Sequence, residues 1–418
     1  MGKTLAEKIL ARCSGQNAVT AGDIIIGQVD CAMLDDPLGP PYVEPCMQEL
    51  EATIWDTSKV VLILDHYAPP ATAAQANILA FNREWSTKYN IEHFYDECGP
   101  CHQVLADYGF DLPGTLLVGT DSHTVTAGAF GCFGTGIGST EMAGVLATGE
   151  IWLRVPESIR IDWNGRLQPR VMGKDVFLRT IRDIGHAGAT YWAMEFRGPA
   201  IEAMNMDDRM CLANMSVEAG AKAGLIACDA TTEAYLKAIG NTKPYYPLAS
   251  DPDAEYVRAY SYDAASLVPQ VACPHAVDNV CDVVEARNTR IHRAYIGSCT
   301  GGRLTDLAAA AEILKGKKIG RACKLEISPS SKKVWEEAAK LGILGELSEA
   351  GATILAPTCG ACVGFHSGVL ADNENCASTT NRNFKGRMGS RSAGVYLVSA
   401  ATAAASALAG ELVDPRSV

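Results

Sequence analysis

The chain has 418 residues, of which 48% are hydrophobic, 20% charged and 7% aromatic, so it is not a mainly disordered chain, and it is longer than one core of roughly 250–300 residues absorbs. Lys and Arg total 36 against 48 Asp and Glu, a formal charge of −12 that makes nucleic acid a poor partner but leaves room for a small anion held by a few buried arginines. Fifteen cysteines, an N-terminus without an apolar leader and no apolar stretch of membrane length point to a cytoplasmic chain whose cysteines are thiols or metal ligands rather than disulfides.

Thr4-Leu5-Ala6-Glu7 is a capping box that opens a first helix. Residues 24–29 are a short apolar run expected as a buried strand, and residues 60–64 are a second, ending at Asp65-His66. A helix is expected over 71–90, then a buried strand over 114–119 that ends at Thr120-Asp121-Ser122-His123. The glycine-rich stretch 131–138 carries only fragments of a dinucleotide fingerprint. It is read as a tight loop onto a helix beginning near Ser139, with backbone N–H groups open to an anion. A hinge with a short strand covers 155–169, a helix 175–185, a strand 191–196 and a Pro-, Tyr- and Asp-rich connector 242–253. Strands over 293–296 and 353–356 run into Gly297-Ser298-Cys299 and Pro357-Thr358-Cys359, and 400–408 is an Ala-rich packing helix. Buried runs alternating with helices imply an α/β chain with largely parallel sheets, whose ligand lies at the carboxyl ends of strands.

Cys359-Gly360-Ala361-Cys362 fits a redox pair, half of a zinc site or part of an iron–sulfur site. With Cys98-Gly99-Pro100-Cys101 it makes a four-cysteine zinc arithmetic, but the pairs are far apart in sequence, and Cys101 abuts His102-Gln103, which reads as a catalytic pair. In the alternative, Cys299 joins Cys359 and Cys362, and three thiolates on two strand-end loops hold three irons of a cubane. The fourth iron is then open to substrate as a Lewis acid. Most other cysteines are read as small buried hydrophobes. Three of the eight histidines lie in acid-bearing or strand-end loops, at Asp65-His66, His102 and Asp121-Ser122-His123. A carboxylate fixes a histidine's tautomer and raises its basicity. Each alone is equally well a structural histidine; three beside the cysteine loops point to a site. Arg382 and Arg387 offer guanidinium forks to carboxylates.

In chain order, Gly119-Thr120-Asp121-Ser122-His123-Thr124, the stretch 214–221 (Asn-Met-Ser-Val-Glu-Ala-Gly-Ala), Gly297-Ser298-Cys299-Thr300, Cys359-x-x-Cys362 and 378–387 resemble the signatures of the aconitase superfamily. The likeness is greatest to the large subunits of its 3-isopropylmalate dehydratase and homoaconitase branch. It implies a three-domain α/β core (1–157, 158–282 and 283–418) with parallel sheets around one central 4Fe–4S cluster per chain, ligated by Cys299, Cys359 and Cys362. It implies that Asp65 and His66 pair and that His66 protonates a departing hydroxyl. His102 would pair with Asp121 and His123 with Glu195, Ser122 would line the pocket, and Asn381, Arg382 and Arg387 would hold substrate carboxylates and the cluster region.

The implied chemistry is dehydration of a 2-hydroxy di- or tricarboxylate to an enoate, then rehydration at the neighbouring carbon, as in the isomerisation of 2- and 3-isopropylmalate in leucine biosynthesis. Homoaconitase, methylmalate and 2,3-dimethylmalate chemistry are alternatives. Leu38 stands where the family has a hydroxyl, Gly301 where it has Asn and Ala361 where it has Pro, while no cluster ligand is lost. The family's swivelling domain, which brings the base, has no room in the 31 residues after Arg387, so a small subunit is expected to supply it. Outside the family stands a non-catalytic metal-stabilised scaffold, which has no use for three histidine–acid motifs; an RNA-binding regulator, a role some superfamily members take, is disfavoured by the acidity and the lack of basic runs.

Overall fold

The first helix, Leu5–Cys13, begins where the capping box places it: the Thr4 hydroxyl accepts from Glu7 N at 3.3 Å, and the Glu7 carboxylate accepts from Thr4 N at 2.8 Å. The structure, a computed structural model, describes residues 2–418. Five strands form an all-parallel sheet in the order His93–Asp96, Val60–Leu64, Cys31–Asp35, Leu116–Gly119, Phe133–Gly136. Val60–Leu64 is buried along its whole length, as its unbroken aliphatic run requires. A second all-parallel sheet orders Ala223–Leu225, Ala193–Arg197, Ser158–Asn164 and Arg258–Asp263. A third has seven strands: Val280–Asp282, Gln270–Ala272, Gly394–Leu397, Asn375–Ser378, Arg293–Ile296, Lys324–Ile327 and Thr353–Ile354. The last five are mutually parallel and the first two antiparallel. Gln270–Ala272 and Val280–Asp282 fall in the 158–282 segment of the sequence division yet pair into this third sheet. The Ala-rich helix Ala400–Ala409 packs on the helix Leu304–Leu314 and on the third sheet.

The sheets are arranged so that strand carboxyl ends converge. Residues 65–66, 101–102 and 120–123 leave the first sheet, and Cys299, Cys359, Cys362, Asn381, Arg382 and Arg387 lie on loops that leave the third; all open onto one cavity. No helix among the described residues is long and apolar enough to cross a membrane.

Two expectations change. Residues 24–28 do form a strand, Ile24–Gln28, but it pairs antiparallel with Glu150–Arg154 in a separate ribbon. Ile25 is buried, while Ile24 and Ile26 are 63% and 51% exposed, so the apolar run is not the mark of a doubly covered strand. The glycine-rich stretch is not only a loop, because Phe133–Gly136 is the edge strand of the first sheet. Its glycines answer crowding: a Cβ on Gly134 would meet the Thr124 carbonyl at 2.4 Å. The helix does start at Ser139, but the Gly138 N–H is taken by the chain's own Glu141 carboxylate at 3.1 Å.

The 3-10 turn Ser122–Phe130, which carries His123, packs against the strand Ala223–Leu225 so tightly that a Cβ on Gly128 would lie 1.7 Å from the Gly224 carbonyl. Gly128→Ala is therefore expected to lower stability by about 1–3 kcal/mol through overpacking. Gly144→Ala, in a helix with open space around the new Cβ, is expected to raise it by about 0.4–1 kcal/mol. Thermal denaturation of the two variants checks the pair, and equal shifts would contradict the packing argument.

Candidate active site

The cavity, of about 720 Å³, is lined by Asp65, His66, His102, Asp121, Ser122, His123, Cys299, Cys359, Cys362, Asn381, Arg382 and Arg387. Of the residues that the family resemblance assigns to the site, Glu195 alone is absent from it. Glu195 sits mid-strand in the second sheet, where its carboxylate accepts from Ser250 Oγ at 2.7 and 2.9 Å; Ser250 in turn accepts from Leu5 N at 2.7 Å. It pins the connector 242–253 to the N-terminal helix.

The carboxylate facing His123 is Glu218, from the 3-10 turn Ser216–Ala219, 2.8 Å from His123 Nε2. Glu218 also accepts twice from Arg382 Nε, at 2.8 and 2.9 Å, and Arg382 Nη2 donates to Ser122 Oγ at 3.2 Å. The guanidinium is thus aimed by Glu218. Burial works against the Glu218 anion, yet the bond from His123 and the charges of His123 and Arg382 hold its carboxyl below the usual range. Glu218 lies in the stretch 214–221, whose resemblance the sequence shows but whose spacing marks no acid–histidine pair.

Asp121 is the hub of the opposite wall. Its Oδ1 lies 2.7 Å from His102 Nε2 and accepts from His123 N at 2.7 Å, and its Oδ2 is 3.9 Å from His66 Nε2. Despite burial, the bonds from His102 and His123 keep it well below the ordinary carboxylate value. His66 Nδ1 is 2.7 Å from Asp65 Oδ1, while Asp65 Oδ2 accepts from Cys101 N at 2.7 Å. Asp36 accepts from the backbone N–H groups of Asp65, His66 and Tyr67 at 3.0, 2.9 and 2.7 Å, which fixes the loop at the end of its strand. Burial disfavours an imidazolium at His66, but the Asp65 carboxylate, then Cys359 and Asp36, outweigh it and hold His66 well above its ordinary value. Gln103 is no partner to His102. Its side chain accepts from Arg303 Nε at 2.7 Å and donates to Asp107 at 2.8 Å, away from the cavity.

The third wall carries the thiols. Cys299 Sγ accepts from Asn214 Nδ2 at 3.1 Å and from Asn381 Nδ2 at 3.5 Å, and the two amides are joined by a 2.5 Å bond. Ser298 donates to Asn381 Oδ1 at 2.7 Å and takes a left-handed backbone, φ 74°, to turn Cys299 inward. The Cys362 thiol is held well below its ordinary value by the hydrogen bond from Cys359, against burial, and then by the Arg387 charge. Two amide donors on one sulfur, a depressed second thiol and a third beside it form a donor set suited to an iron–sulfur cluster. Cys98 bonds to the Asp96 carbonyl at 3.5 Å and does not line the cavity, so the two CxxC pairs do not converge on a four-thiolate site. The ligand atoms of His102, Asp121 and His123 also cluster within 4.8 Å, but their short contacts are those of shared protons. Lys222, which the sequence did not single out, lines the cavity too; burial lowers its pKa, with Glu141 the opposing charge.

The sequence model described as "Aconitase family (aconitate hydratase)" matches residues 49–290 and 282–410. A 3-isopropylmalate dehydratase large subunit of Methanopyrus kandleri is 47% identical over 417 residues, covering 100% of this chain and 99% of that one. The chain belongs to the aconitase family. A probable methanogen homoaconitase large subunit of Methanosarcina mazei is also 47% identical, over 94% of this chain and 100% of its own. Among solved structures, holo aconitase X of Thermococcus kodakaraensis superposes with TM-score 0.50 at 13% identity, over 87% of this chain and 85% of that one, which is a likeness of fold. As in the rest of the family, an iron–sulfur cluster is the implied cofactor, and the thiol wall fits it.

Glu218→Gln is expected to lower turnover roughly 10–100-fold by releasing both His123 and Arg382, whereas Glu195→Gln should leave it within about two-fold. Steady-state rates of the two variants, with Tm measured alongside, decide between the two glutamates.

Proposed function

We propose that the chain is the large subunit of a 4Fe–4S hydro-lyase that moves the hydroxyl of a 2-hydroxy di- or tricarboxylate, with 3-isopropylmalate as its substrate. The observation that carries the reading is the single cavity, in which three cysteine thiols, three carboxylate-paired histidines and two arginines face one another. Cys299, Cys359 and Cys362 would hold the cluster, which supplies, when bound, a Lewis-acidic iron that polarises a hydroxyl.

His66 presents Nε2 to the cavity and gives its proton to the departing hydroxyl. Asp65, 2.7 Å from Nδ1, orients the ring and stabilises the imidazolium before that transfer. Arg382, fixed by Glu218, and Arg387 hold substrate carboxylates. A small subunit, expected to carry the base for the carbon-bound proton, closes the cavity and excludes water, which strengthens every charge within it.

The apolar lining of Leu38, Val125, Ile137 and Val217 suits an alkyl substituent. One observation favours the homoaconitase alternative: Lys222 lines the same cavity with no carboxylate among the described residues within ion-pair distance, and would receive a third substrate carboxylate.

The test is anaerobic co-expression of the chain with a small subunit of the same family, followed by kinetics on 3-isopropylmalate and on hydroxytricarboxylates. The pair is expected to isomerise 3-isopropylmalate and the chain alone to be inactive; full turnover by the chain alone would overturn the assignment. His66→Ala should lower kcat by about 10²–10⁴-fold with a smaller change in KM. A selective loss of tricarboxylate turnover in Lys222→Met would move the substrate to the homoaconitase reading.

A further inference from the structure

Lys174 opens the helix Gly173–Ile184 and is 3% exposed. Its Nζ donates to Thr300 Oγ1 at 3.0 Å, to the Thr380 carbonyl at 3.0 Å and toward Met215 Sδ at 3.6 Å. Every partner is bound to accept. A carbonyl and a thioether have no proton to give, and the Thr300 hydroxyl spends its own on the Thr379 carbonyl at 2.8 Å. Three acceptors around one nitrogen match the three N–H bonds of an ammonium.

All three partners are neutral, and among the described residues Lys174 makes no ion pair. A buried charge left without a counter-charge is strongly unfavourable, so something else in the site must balance it. The three segments that Lys174 ties together are those that surround the Cys299 sulfur. Thr300 follows Cys299. Met215 follows Asn214, and Thr380 precedes Asn381, the two residues whose amides donate to that sulfur.

We propose that Lys174 is the built-in counter-cation of the cysteine wall: a positioning residue that gathers the loops around Cys299 and offsets the negative charge of the thiolates and the cluster they hold. The inference rests on the iron–sulfur reading above. A fixed positive charge close behind a cluster favours its more reduced, more negative form, because net charge and surroundings set cluster potentials.

The test uses the full chain, loaded anaerobically with iron and sulfide, as wild type, Lys174→Met, Lys174→Arg and Thr300→Val. The readouts are iron and sulfide per chain after a chelator challenge, and the cluster's midpoint potential from a dithionite titration followed by electron paramagnetic resonance. Lys174→Met is expected to shift the midpoint to more negative values and to lose iron faster. Lys174→Arg and Thr300→Val, which keep the cation, should hold the wild-type midpoint. An unchanged midpoint in Lys174→Met, or an equal shift in Thr300→Val, would overturn the proposal. Should Lys174→Met fail to fold by circular dichroism, Lys174→Gln, which removes the charge but keeps N–H donors, takes its place: a more negative midpoint supports the role of charge, and a wild-type midpoint overturns it. A wild-type chain that takes up no cluster overturns the iron–sulfur reading and this inference together; a loaded chain indifferent to Lys174 overturns this inference alone.

Discussion

The Asp121 carboxylate is the contact on which the rest of the site depends. It is shared by the His102 ring and the His123 backbone, with the His66 ring 3.9 Å away. The three histidines are buried, and a buried histidine holds or gives a proton at a chosen atom only if a partner such as a carboxylate fixes its ring. Three histidines therefore demand several acids within a few ångströms, and those acids would repel one another without the imidazoles between them. The loops at the ends of Val60–Leu64 and Leu116–Gly119 meet this demand because parallel strands deliver their carboxyl ends to one edge. Asp36, at the end of the strand between them, spends its oxygens on backbone N–H groups and so sets where Asp65 and His66 stand.

The thiol wall obeys the same constraint with the opposite sign. Sulfurs that carry negative charge need donors and cations, and the structure surrounds Cys299 with two amides and sets Arg387 against Cys362. Glu218 bridges the two walls: it faces His123 on one side and aims Arg382 on the other. The cavity is thus one charge-balanced unit drawn from three sheets, which is why its parts lie so far apart in sequence.

Much of this was legible beforehand. The strand Arg293–Ile296 falls on the residues expected, and the runs 60–64 and 114–119 end at the acid–histidine motifs because their strands, Val60–Leu64 and Leu116–Gly119, are apolar until they exit. What the sequence hid was pairing across elements. Glu195 and Glu218 both lie far from His123 in sequence, and no local pattern tells them apart; only the packing of the Ser122–Phe130 turn on Ala223–Leu225 brings Glu218 to the ring. The Ile24–Gln28 run was misread because an exposed two-stranded ribbon and a doubly covered strand share the same aliphatic composition. The glycines of 133–136 were misread because close approach to a neighbouring backbone, rather than turn geometry, demands them.

In this reading the thiols, rather than the histidines, hold metal. An anomalous difference map at the iron edge, from crystals of the anaerobically loaded chain, tests it most directly. A compact iron peak bounded by Cys299, Cys359 and Cys362 and facing His66 is expected. A single metal ion seated among His102, Asp121 and His123, with nothing at the three sulfurs, would contradict it.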